Sequence, residues 1–233
     1  MKLFELAYAC HIYREFSDFD TTYERFLRET KPNFDILNPR HRKALLVWLN
    51  SWGCRQFSIN FHEKASEQLR IWGQKNFSKL PTIGTSLLIF TDNDFVNAGT
   101  LYVNLRDMQA SIRQRNGKSE SVKFGPTGAA KILFALRDQA FPPWDDSIRN
   151  RLDYDGSQKS YIKYLQWVKN ELQEVITDAE MHSIAENDIP KKLGRSSSSL
   201  PKLVNEYNYI TITQGCKPPN LEDINKWLGW ARG

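Results

Sequence analysis

Apolar residues recur every three or four positions along most of this chain, the period of helices with one buried face. The spacing predicts a helix from Phe4 to Phe16 and a short one from Tyr23 to Leu27. Asn38-Pro39 reads as a helix start, because proline suits the first helical position. Arg42 to Leu49 continues it with Ala44, Leu45, Val47, Trp48 and Leu49, and Gly53 breaks the pattern. The next helix is expected from Ser58 to Trp72, with a stripe of Ile59, Phe61, Ala65, Leu69 and Trp72. Leu80 to Gly84 reads as a loop, and Leu87 to Phe90 as a run that suits strand or helix. Thr91 to Asp94 is a capping cluster, with a helix expected to follow from Phe95 to Ile112.

Arg113 to Glu120 reads as a polar basic loop and Lys118 to Lys123 as extended. Gln158 to Ile176 is amphipathic, with Tyr161, Leu165, Val168, Leu172 and Val175 on one face. Lys191 to Ser199 reads as a flexible basic loop, and Pro201 starts a helix that runs to about Tyr209. Thr211 to Thr213 is β-prone, and Leu221 to Trp230 is expected to form a last short helix. No internal repeat is visible. An all-α fold is the expectation.

Composition narrows this picture little. The 233 residues are 40% hydrophobic and 25% charged, ordinary for a globular chain long enough to bury a core. The net charge of +5 and pI near 9.0 lean toward a polyanionic partner. Cys10, Cys54 and Cys216 are far apart and form no C-x-x-C pair, so zinc knuckles and iron–sulfur clusters find no support. Their spacing suits a reducing, cytoplasmic setting rather than a disulfide framework. His11, His41, His62 and His182 show no metal-ligand spacing, so no metal site is expected. No run of apolar residues approaches a membrane span, and the N-terminal stretch has no signal-peptide h-region.

The candidate chemistry lies between Phe124 and Arg151. Gly125-Pro126-Thr127-Gly128 opens a short apolar helix, and Pro142-Pro143 stops any continuation. Trp144-Asp145-Asp146 then starts a second helix carrying Ile148, Arg149 and Arg151. A glycine-rich helix start offers free N–H groups and the positive end of the dipole to a phosphate. An acidic residue beside an aromatic one offers a carboxylate for chemistry. By itself the tetrapeptide also fits a plain loop-to-helix junction, and either aspartate fits a helix cap.

This segment resembles the catalytic core of the helix-hairpin-helix DNA glycosylases. Pro126-Thr127-Gly128 lies over that family's Gly-Val-Gly turn, Ala129 to Leu136 over its second hairpin helix, and Trp144-Asp145 over its apolar-Asp pair. Leu45 to Phe57 more weakly resembles the helix and turn that fill the gap left by an extruded base. This sequence departs from the family at Phe124-Gly125-Pro126, in the extended run Lys118 to Lys123, and in lacking the upstream glutamine.

The resemblance implies a two-lobed helical glycosylase-like unit over residues 1–233. Residues 38–112 would form a helical lobe, 113–180 the hairpin and catalytic aspartate region, and 181–233 the completing C-terminal helices. It implies a monomer acting on double-stranded DNA without a cofactor, a monovalent cation at the hairpin being left open. Asp145 would be catalytic and Asp146 the helix cap. Gly125, Thr127, Gly128, Ala129, Lys131 and Arg149 would contact DNA. Trp52, Cys54, Arg55 and Trp144 would supply the wedge or the base pocket, with core packing the alternative for Trp52. Ala130 stands where bifunctional members carry their lysine, which implies a monofunctional, water-using enzyme. Lys131 would then meet a phosphate or face solvent. A helix-hairpin-helix module that only binds DNA is the alternative. The base excised, and a role in repair or phage defence, stay open.

Overall fold

The computed structural model describes residues 1–16, 18–220, 222, 224–226 and 229. Ten α-helices and one β-hairpin make up the described fold: α1 (Leu3–Phe16), α2 (Phe19–Glu29), α3 (Pro39–Ser51), α4 (His62–Asn76), α5 (Asp92–Arg106), β1 (Gln109–Arg115), β2 (Lys118–Lys123), α6 (Gly125–Leu136), α7 (Asp146–Arg151), α8 (Gln158–Met181), α9 (Ile189–Lys192) and α10 (Leu200–Asn208). Tyr209–Thr213 continues α10 as a π-helical turn. The chain is therefore mostly helical, as the periodicity predicts. The helix expected over Leu221 to Trp230 falls mostly outside the described residues.

Local chemistry accounts for most of the boundaries. Asn38 accepts from Arg40 N to cap α3, with Pro39 at its first position. Thr91 and Asp94 form a reciprocal capping box at α5. Ser157 and Ser199 cap α8 and α10. Buried apolar residues from Leu6 to Val204 form one continuous core, in which α5 packs on α6 and α8, and α1 packs on α10.

Several expectations are corrected. The helix predicted to reach Ile112 ends at Arg106, and the predicted loop 113–120 is an antiparallel hairpin pairing Arg113 with Glu120 and Arg115 with Lys118. Asn116 and Gly117 both sit at positive φ in its turn, the geometry that Asn-Gly favours in tight hairpins. The helix expected from Ser58 begins at His62 after a 3-10 turn, and Ile59 is 75% exposed rather than part of the buried stripe. Leu87–Ile89 is a 3-10 turn. The element immediately before α6 is β2, so a strand rather than a helix leads into the glycine-rich turn.

Candidate functional site

The turn into α6 is held from three sides. Phe124 N donates to Met108 O at 3.0 Å. Gln56 Nε2 donates to Phe124 O at 2.6 Å, and the Phe57 and Phe124 rings lie 5.6 Å apart. Gly125 has φ +71°, a conformation that side chains resist, and it swings the strand into the helix. Gly128 serves a close approach instead. A Cβ there would lie 2.8 Å from Gln56 Nε2 and 3.7 Å from the Phe57 ring. Gly128→Val should therefore lower folding stability by about 1–3 kcal/mol, as overpacking does, read as a lower urea midpoint at unchanged slope.

Pro142 and Pro143 are buried and direct the chain toward α7. The Pro143 carbonyl accepts from Tyr164 Oη at 2.7 Å and from Asn205 Nδ2 at 3.0 Å. Trp144 is fully buried and donates through Nε1 to Pro126 O at 3.2 Å. That bond ties the aspartate segment directly to the glycine-rich turn. Burial pushes the Tyr164 phenol well above its ordinary range, and the charge of Asp145 adds to the effect.

The two aspartates divide their roles differently from expectation. Asp145, not Asp146, caps α7: its backbone is extended and Oδ1 accepts from Ile148 N at 2.8 Å. Its other oxygen, Oδ2, accepts from Thr213 Oγ1 at 3.1 Å. Asp146, one residue on, is the first residue of the helix and points outward. It accepts from Thr127 Oγ1 at 2.9 Å and pairs with Arg149. Partial burial works against its ionisation, but Arg149, Thr127 and Lys131 outweigh that and hold the carboxyl below its usual range.

Asp145 and Asp146 border a cleft of about 500 Å³, a size typical of ligand pockets. Trp52, Cys54, Gly125, Thr127, Lys131, Trp144 and Arg149 also line it. Distant parts of the chain supply further walls: Tyr13, Phe19, Gln56, Asn205 and Tyr209. The Tyr13 and Tyr209 rings meet edge to face at 5.6 Å, and Phe19 lies 5.7 Å from Tyr209 and 5.9 Å from Trp52. Such faces suit stacking against a planar group.

Lys131 neither faces solvent nor projects toward an outer phosphate. α6 is buried nearly all round from Gly128 to Phe134, so the side chain emerges only at the cleft. Its Nζ donates to Trp52 O at 2.5 Å and stands 5.6 Å from the Trp52 ring centre. Trp52 is a wall rather than a wedge: its Nε1 donates to Phe19 O at 3.1 Å, and its ring lies 4.7 Å from that of Trp48. Cys54 is 1% exposed and is likewise no wedge. Burial raises its thiol pKa, against the lowering influence of Lys131. Arg55 is exposed and lies outside the cleft lining.

Two predicted DNA contacts are corrected by burial. Gly128 and Ala129 lie inside the core, because the first turn of α6 packs against Gln56 and Phe57. Neither lines the cleft, whereas Gly125 and Thr127 do. Arg149 reaches the cleft already paired with Asp146, its guanidinium 5.8 Å from the Trp144 ring. Arg137 is buried and donates to Pro81 O and Leu136 O. Arg113 pairs with Glu120 and Lys123 with Asp107.

The carbonyls of Phe124 and Pro126 accept from Gln56 and Trp144. Among the described residues, no group of three or more His, Cys, Asp or Glu could hold a metal ion. No helix among them is long and apolar enough to cross a membrane. Comparison with family models, curated proteins and solved structures finds no match to this chain.

Proposed function

We propose that this protein is a monofunctional DNA glycosylase that hydrolyses the N-glycosidic bond of a damaged or modified base flipped out of double-stranded DNA. One observation carries the reading: Asp145, with each oxygen held by a different donor, borders an open aromatic-walled cleft at the start of α6. The extruded base would stack among Phe19, Trp52 and Tyr209. Breaking its bond to the sugar builds positive charge at C1′ and O4′, which the carboxylate stabilises. The base leaves with the electron pair, water bonds to C1′ and loses a proton to solvent through Asp145, and the base takes up a proton from solvent, so that water is split between sugar and base. Lys131 donates to the Trp52 carbonyl and lies against that ring. This commits the amine to a structural contact and favours water as nucleophile.

The alternative is a module that binds DNA without chemistry. A cleft filled by side chains would suit that role better than an open one. Incubation with a panel of lesion-bearing and phage DNAs should yield abasic sites in an otherwise intact strand. Borohydride should trap no protein on the DNA. DNA binding with no base release from any member of the panel favours the binding module. A trapped adduct abolished in Lys131→Ala would make Lys131 the nucleophile.

A further inference from the structure

We infer that Thr213, carried by the π-helical turn at the end of α10, is a positioning residue that sets the plane of the Asp145 carboxylate; this inference rests on the glycosylase reading. The observation is a contrast with four other threonines of this chain. Thr30, Thr100, Thr177 and Thr211 each donate their hydroxyl to the carbonyl four residues earlier, as threonine does inside helices. Thr213 does not. Its hydroxyl reaches across 68 residues of sequence to Asp145 Oδ2.

The local backbone differs as well: Gln214 N donates to Tyr209 O at 2.9 Å, five residues back, in the wider π turn. Such turns recur at functional sites. Ile210 anchors the turn by packing with Ala9 and Tyr13 in a small separate cluster. Tyr209 thereby faces the cleft while Thr213 meets the carboxylate. One turn from the far end of the chain supplies both an aromatic wall and a donor to the acidic group.

The physical role follows from counting donors. Rotation about the last side-chain bond of Asp145 moves both oxygens, and Ile148 N on Oδ1 restrains it from one side only. A second donor on Oδ2 tightens that restraint and so narrows how the carboxylate faces the cleft. Small misplacements of a reacting group cost large factors in rate.

The test compares wild type, Thr213→Val, Thr213→Ser and Asp145→Asn for single-turnover base release and for DNA affinity. Thr213→Val should slow release by about ten- to a hundredfold at unchanged affinity, and Thr213→Ser should restore it. Wild-type release by Thr213→Val beside an inactive Asp145→Asn overturns the role of Thr213 alone. Wild-type release by Asp145→Asn overturns the catalytic role of Asp145, and the inference with it, and absence of release by wild type on every DNA overturns the glycosylase reading. A readout independent of turnover is the Asp145 ¹³Cγ resonance. It should move in Thr213→Val and not in Thr213→Ser, and an unmoved resonance overturns the inference even if no substrate is found.

Discussion

Asp145→Asn is expected to lower base release by about a hundred- to a thousandfold while leaving the protein folded. The size follows from removing a charge positioned against a developing cation, where single electrostatic contacts are worth factors of about 10²–10³. The fold should survive because asparagine caps a helix about as well as aspartate, so the bond to Ile148 N can persist. DNA affinity should hold or rise, since a negative charge near phosphates is gone. Asp146→Asn is the control. Asp146 is exposed and bonded to Thr127 and Arg149, so its amide should cost less than tenfold in rate, by the small worth of exposed pairs. Both variants are measured in single turnover on one DNA. Loss of release in Asp146→Asn with retention in Asp145→Asn would move the chemistry to Asp146. Retention in both would remove both aspartates from the chemistry.

Glu206→Ala is expected to cost about 3–5 kcal/mol of folding stability, the range for removing one partner from a buried charge cluster. Glu206 is 0% exposed and Lys202 1%. Glu206 pairs with Arg195 at 2.5 Å and with Lys202, and both cations also pair with Asp20, at 2.5 and 2.8 Å. Without Glu206, two buried cations would share one carboxylate. Replacing Lys202 and Glu206 together by Met and Leu leaves the neutral Arg195–Asp20 pair and should cost less than Glu206→Ala alone. Denaturant midpoints decide this, and equal costs would refute the charge argument.

The cluster also carries a pH dependence. Burial pushes the Asp20 carboxyl up, but Arg195 and Lys202 hold it below its ordinary value. Its contribution is therefore full above the unfolded value near 3.9 and is lost as pH falls through the lower folded value.

This cluster also shapes the cleft. It joins α2 to α10, and its cations lie over the Tyr13 ring, with Lys202 Nζ 5.3 Å and Arg195 Cζ 5.8 Å from the centroid. The region 191–199, which reads as a flexible basic loop, contains Arg195 at 7% and Ser199 at 3% exposure. Ser199 caps α10 and donates to Asp138 O at 2.9 Å. Nothing in a local run of lysine, arginine and serine announces burial, because the carboxylates that neutralise it come from Asp20 and Glu206.

What the sequence by itself determined is local. Helical spacing and capping residues located most helices, since a cap is decided within a few residues by its own hydrogen bonds. The order turn, helix, proline pair, aspartate was legible as one unit, and Trp52, Cys54, Gly125, Thr127, Lys131, Trp144, Asp145 and Arg149 do border one cleft. The β1–β2 hairpin reads in sequence as a helix end and a polar loop, because its strands lack the alternation that marks a half-buried sheet.

Only the tertiary structure decided which oxygen of which aspartate meets which donor. It also decided that Gly128 packs against Gln56 and that Lys131 turns inward onto Trp52 O. Tyr13, Phe19 and Tyr209 carry no local mark of the cleft, and Thr213 none of its bond to Asp145. The three aromatics reach the cleft because they pack together with Ala9 and Ile210. That burial depends on the summed surface removed from water, a quantity no short window of sequence contains.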